Sequence, residues 1–103
     1  MSARELAKQL ADAQGCALAL LDVREPWEVE LAKIPGSLTI PMRSIPRRID
    51  ELPNAPIVVI CHHGVRSAQT ARFLLEAGFE QVYNLKGGIE AWATEIDPQM
   101  AHY

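Results

Sequence analysis

The sequence predicts an α/β fold: a central parallel sheet of about four to five strands with helices on both faces, in one domain spanning residues 1–103. Three observations point there. Helix-like and strand-like segments alternate along the chain, the pattern of a wound parallel sheet. The strand-like segments, such as Ile57-Val58-Val59-Ile60, are unbroken apolar runs, as expected where both sheet faces are covered. The chain has the length of a single domain, and its 49% apolar content is enough for one core.

Each element has its own signal. Ser2 and Glu5 form a capping-box pattern opening a first helix, lined by Ala3, Leu6, Ala7, Leu10 and Ala13 and ended by Gly15. Ala17 to Leu21 is apolar and too short for an independent helix, so it reads as a buried strand continuing through Asp22-Val23-Arg24. Pro26 opens a short helix through Trp27, Val29 and Leu31. Ile34-Pro35-Gly36 is a turn, and Ser37 to Ile40 is a second strand closed by Pro41. Met42, Ile45 and Ile49 suggest a third helix ending near Leu52-Pro53, with Pro46 in its first turn. Ile57 to Ile60 is the central strand, and Ser67 to Ala77 a helix stopped by Gly78. Gln81 to Leu85 is a further strand, and Gly87-Gly88 leads into a last helix through Trp92 and Ile96.

The chemistry concentrates in Cys61-His62-His63-Gly64-Val65-Arg66-Ser67, between the central strand and the following helix. In such sheets ligands bind at the carboxyl ends of strands, and Cys61 lies at one such end while Asp22 and Arg24 lie at another. A strand–loop–helix turn aims backbone N–H groups and a helix dipole at one point, where a thiolate or a bound anion is stabilised. Gly64 supplies the backbone freedom such a loop needs. Arg66 adds a permanent charge and a planar fork of donors. Ser67 is placed to cap the helix. A buried strand cysteine is the ordinary alternative, but Gly64, Arg66 and Ser67 at these spacings favour a nucleophile in an anion cradle.

This loop, together with Leu20-Leu21-Asp22-Val23-Arg24, Ile34-Pro35-Gly36-Ser37 and Gly87-Gly88-Ile89-Glu90-Ala91-Trp92, resembles the rhodanese family of sulfurtransferases, whose pattern is Cys-x-x-Gly-x-Arg. The resemblance covers nearly the whole chain and is similar to bacterial single-domain rhodaneses. It implies a rhodanese-like three-layer sandwich. It also implies a catalytic Cys61 that takes a sulfur from thiosulfate or a similar small donor anion, and passes it to cyanide, a thiol or a protein acceptor. His62, His63, Gly64, Val65, Arg66 and Ser67 would bind the substrate, with Asp22 and Arg24 supporting the rim. No cofactor is implied, and the expected location is cytoplasmic. The chain departs from the pattern at Ala32 and Lys33, where relatives often carry glycine and histidine, and at Val29, often aromatic. Relatives also often begin with a short strand, expected here to be missing or very short.

Two other classes compete with the sulfurtransferase. Cysteine phosphatases place five residues between cysteine and arginine; here four intervene, a tighter cradle suited to a single sulfur. Rhodanese-like binding modules commonly lack the cysteine, whereas a persulfide carrier feeding a partner would keep it. A net charge of −3 argues against a nucleic-acid partner, and Arg43, Arg47, Arg48 and Arg66 read as a solvated face. No apolar run approaches the length that spans a bilayer, and the N-terminus does not read as a secretory signal. Cys16 and Cys61 fit a reducing compartment, with Cys16 in the core. No metal site is expected: the adjacent Cys61, His62 and His63 cannot easily converge on one ion, and no second ligand pair has zinc spacing. Asp22 and Arg24 are expected to form a structural ion pair, and Trp27 and Trp92 to serve packing.

Overall fold

The computed structural model describes residues 1–12 and 18–103; the readings of Ala13, Gly15, Cys16 and Ala17 lie outside the described residues. Four strands, β1 (Ala19–Asp22), β2 (Leu38–Thr39), β3 (Ile57–Ile60) and β4 (Val82–Asn84), form a sheet in the order β2-β1-β3-β4. Every pairing is parallel, with Asp22 opposite both Thr39 and Ile60, and Val59 opposite Asn84. The carboxyl ends of β1, β3 and β4 are therefore level, which brings Asp22, Cys61 and Asn84 to one edge of the sheet.

Alternate side chains of β3 feed two cores, and all four of its residues are buried. Val58 and Ile60 pack with Leu20, Leu85, Ile89 and Trp92, under α1 (Ala3–Ala11) and α4 (Gly88–Glu95). Ile57, Val59 and Cys61 pack on the other face with Leu21, Ile45, Ala71 and Leu74, under α3 (Val65–Glu76). This is the expected three-layer sandwich. The remaining helix, α2 (Pro26–Leu31), follows the carboxyl end of β1. Ser2 caps α1 through a capping box with Glu5, as the sequence predicts.

Several boundaries differ from expectation, each for a local reason. The third helix is replaced by two 3-10 turns, Met42–Ser44 and Ile49–Glu51. Pro46 has no N–H to donate to Met42, so the α-helical ladder cannot run through it. The second strand shortens to two residues, although Ile40 N–H still reaches Asp22 O at 3.0 Å. The last helix stops at Glu95, with Ile96 as its C-cap. Before α1, Met1 donates to Asn84 O at 2.9 Å and accepts from Lys86 N–H at 2.8 Å, so a single residue pairs along the outer edge of β4, and among the described residues no strand is assigned before α1. Trp92 is core as expected, whereas Trp27 is 60% exposed. Among the described residues no helix is long and apolar enough to cross a membrane.

Candidate active site

Cys61 follows directly on β3, and its side chain is buried. Gly64 adopts φ +100° and is the N-cap of α3, so the helix begins at Val65, two residues before the expected Ser67. This moves Ser67 from cap to first turn, with a different job. Its Oγ lies 3.2 Å from Cys61 Sγ, and it donates to Asn84 Oδ1. The Gly64 N–H donates to Cys61 Sγ at 3.0 Å. The sulfur thus meets one loop amide and one hydroxyl at the N-terminal end of a twelve-residue helix. Asn84, at the end of β4, clamps the loop from the far side: its Nδ2 donates to Gly64 O at 3.2 Å, which fixes the amide so that Oδ1 faces Ser67.

The other side of the loop is held by α4. Ile89 N–H donates to Cys61 O at 2.8 Å and Glu90 N–H to His62 O at 3.1 Å. Free amides of a helix N-terminus therefore satisfy the Cys61 and His62 carbonyls. Gly88 makes the approach possible, since a Cβ there would stand 2.3 Å from Cys61 O and 2.5 Å from His62 O.

Arg66 does not extend freely over the cradle. It forms a two-pronged ion pair with Glu28 of α2, at 2.6 and 2.8 Å. Glu28 is buried and also accepts from Tyr103 Oη at 2.8 Å and Glu25 N–H at 3.0 Å. The Arg66 guanidinium, with these donors, holds the Glu28 carboxyl down at about 2, against an ordinary 4.5. Two of the five guanidinium N–H groups go to Glu28, leaving three.

Behind this pair lies a second, fully buried one. Arg24 bonds Asp22 through Nε (2.9 and 3.1 Å) and Nη2 (2.7 Å), Ala32 O through Nη2 (2.6 Å), and Glu28 O and Tyr103 Oη through Nη1 (3.3 and 2.9 Å). A buried guanidinium with every nitrogen partnered is the condition under which burying such a charge is tolerable. Burial pushes the Tyr103 phenol up to about 12, keeping it a proton donor to Glu28.

The histidines form a stack on the rim. His62 lies between His63 and Tyr103, each ring centroid 3.9 Å away. Burial, and then the neighbouring His63, lower the His62 pKa from its ordinary value. Glu90 stands nearby, 3.8 Å from His62 Nε2 and 2.9 Å from His102 Nδ1. Three of the four arginines read as a solvated face are paired, Arg43 with Glu25, Arg48 with Glu51 and Arg66 with Glu28, while Arg47 Nη2 lies 3.5 Å from Ser44 Oγ.

The structure therefore brings Cys61, Gly64 and Ser67 into one contact set, with His62 and His63 beside it; Arg66 is tied to Glu28, and Asp22 and Arg24 support it from behind. The exposed Val65 side chain joins none of these contacts. Sequence reasoning missed Glu28, Asn84 and Tyr103. Asn84 could have been flagged as the polar residue ending a strand at the ligand-binding edge. Glu28 offers only a weak signal, one acid in a short helix, and Tyr103 offers none. A cleft of about 500 Å³, lined by Asn54, Pro56, Phe79 and Gln81, opens at the amino ends of β3 and β4, away from Cys61.

The rhodanese-like domain family matches residues 2–95. The chain belongs to that family. A sulfurtransferase of Allochromatium vinosum is 38% identical over 102 residues, covering 98% of this chain and 94% of that protein. The thiosulfate sulfurtransferase GlpE of Actinobacillus pleuropneumoniae is 37% identical over 85 residues, covering 82% of this chain and 77% of its own. Among solved structures, a rhodanese-related protein of Thermoplasma volcanium superposes with a TM-score of 0.83 at 32% identity, over 93% of this chain and 91% of that one. The family match and the relatives place this chain among rhodanese-like sulfurtransferases.

Proposed function

We propose that this rhodanese-like protein moves a sulfane sulfur from thiosulfate, or a similar small anion, to a nucleophilic acceptor through a persulfide on Cys61. The observation that carries the reading is the Cys61 sulfur held by Gly64 N–H and Ser67 Oγ at the start of α3. The Cys61 thiolate attacks the outer sulfur of thiosulfate; a new S–S bond forms, the old one breaks, and sulfite leaves with its electron pair. Cyanide, or a thiol of a small molecule or protein, then attacks the outer sulfur of the persulfide and returns Cys61 as thiolate. The three Arg66 donors not used by Glu28 are available to the anionic donor, and the loop amides to the developing negative charge.

Proton accounting supports the role of Ser67. Its single hydroxyl proton goes to Asn84 Oδ1, so Ser67 Oγ accepts from the Cys61 thiol. Once the thiol has given its proton to solvent water, the same hydroxyl can turn to donate to sulfur. Stabilising the thiolate in this way needs no imidazole base.

The test is intact-protein mass after incubation with thiosulfate. One sulfur atom should be added and removed by cyanide or dithiothreitol. Cys61→Ser should take up none, and Cys16→Ser should behave as wild type. Sulfur mapped to Cys16, or turnover of aryl phosphates in place of thiosulfate, would sink this reading.

A further inference from the structure

The rim of the loop holds a group of side chains that the sulfur chemistry does not use. One ligand atom each from His62, His63 and Glu90 lies within 4.8 Å of the others. The sequence could not show this, because the third member comes from α4, twenty-seven positions beyond His63, and Cys61 takes no part. We propose that His62, His63 and Glu90 form a binding site for a borderline divalent transition metal of the zinc or cobalt type.

Four features support it. First, His62 Nε2 is buried with no hydrogen-bond partner among the described residues, and Glu90 Oε2 is 3.8 Å from it, too far for a hydrogen bond. A desolvated lone pair facing a carboxylate oxygen across a short gap is matched by a cation placed between them. Tetrahedral bonds of about 2.0–2.1 Å put neighbouring ligand atoms roughly 3.3 Å apart, so the three groups need to close by about 1.5 Å at most. Second, the two elements are already locked together, since Glu90 N–H donates to His62 O at 3.1 Å. Third, Glu90 is oriented from behind: His102 Nδ1 lies 2.9 Å from Oε1, leaving Oε2 towards His62. An outer-shell histidine fixing a ligating carboxylate is the arrangement that strengthens metal sites. Fourth, His62 is wedged between the His63 and Tyr103 rings, while His63 is exposed and can turn to complete the set. Two imidazole nitrogens and one carboxylate oxygen suit zinc, cobalt or nickel rather than calcium or magnesium. Three protein ligands leave a coordination position for water or an anion.

The proposal stands apart from the sulfur reaction and is tested without it. The full reduced chain is titrated with Co²⁺, read by visible absorption, and with Zn²⁺ against a chromophoric chelator. Wild type should bind one equivalent in the micromolar range, with a visible spectrum free of thiolate charge-transfer bands. His63→Ala and Glu90→Gln, the first exposed and the second half-buried, both checked for folding by circular dichroism, should each weaken binding by roughly tenfold or more, and His102→Ala by a similar factor through Glu90. Cys61→Ser and Cys16→Ser should bind as wild type. Absence of binding below millimolar metal would overturn the site. So would binding that His63→Ala and Glu90→Gln leave unchanged, or that Cys61→Ser or Cys16→Ser abolishes.

Discussion

Glu28→Gln is the sharpest probe of how this site is held. Every contact to the carboxylate is a donor: two from Arg66, one from Tyr103 and one from Glu25 N–H. Glutamine keeps the volume but removes the charge, and its amide NH₂ must face donors wherever it turns. The Arg66 pair holds the Glu28 carboxyl at about 2 against an ordinary 4.5. Ionised Glu28 therefore contributes its full stabilisation above about pH 4.5, and that contribution disappears as pH falls through about 2. At about 1.4 kcal/mol per pH unit, the interval corresponds to at most about 3.5 kcal/mol. The Arg66 side chain is 35% exposed, so solvent screening reduces the figure to about 2 kcal/mol. For a chain of this size that is roughly 8–16 °C in Tm. Urea melts of wild type and Glu28→Gln should differ by about 2 kcal/mol at pH 7, and the gap should narrow steadily between pH 4.5 and pH 2. Variants within about 0.5 kcal/mol at pH 7, or a gap that stays constant on acidification, would refute the argument.

Three further outcomes follow from the same contacts. Gly88→Ala places a Cβ against the Cys61 and His62 carbonyls at a φ of +58°, so it should destabilise by about 3 kcal/mol or more in denaturant melts; a change below about 1 kcal/mol would contradict the close approach. Arg66→Ala should lower kcat/KM for cyanide-dependent thiocyanate formation by about 10- to 150-fold, with Arg66→Lys intermediate; full activity in Arg66→Ala would leave the arginine a purely structural role. Tyr103→Phe removes the acceptor of a buried Arg24 donor and a donor to Glu28, and should cost about 1–3 kcal/mol in thermal or urea unfolding.

The sequence made the layer architecture legible because the signal is strong and local. Unbroken apolar runs such as Ile57 to Ile60 mark buried parallel strands, and the cysteine loop announces the carboxyl edge. The boundaries were less legible because they depend on single backbone groups. Pro46 breaks a helix that the spacing of Met42, Ile45 and Ile49 suggests, and Gly64 takes the cap position that Ser67 would suit by residue type. Long-range clamps were not legible at all. Tyr103 meets Glu28 across 75 positions, Arg66 meets it across 38, and no periodicity encodes either distance. Glu90 illustrates the same limit: it stands in a stretch that the sequence marks, yet its nearness to the histidines depends on how α4 docks against the loop.

These clamps bear on how a buried sulfur can meet a charged substrate. Cys61 is only 1% exposed, so in the proposed reaction the anionic donor is received by groups fixed before it arrives. An unpaired Arg66 side chain would sample many rotamers and lose that freedom on every encounter. Glu28 removes the cost in advance by holding the guanidinium at two points, and Arg24, through Tyr103, holds Glu28 in turn. A single ammonium cannot reproduce the arrangement, because it lacks the planar fork that bonds two carboxylate oxygens side by side while leaving donors for an anion. On this view the chain Asp22–Arg24–Tyr103–Glu28–Arg66 positions the arginine, while Asn84 and Ser67 position the sulfur. The two sets meet on α3, which carries both Arg66 and Ser67: Asp22 of β1, Arg24 just after it, Tyr103 and Glu28 of α2 lead to Arg66, while Asn84 of β4 reaches Ser67.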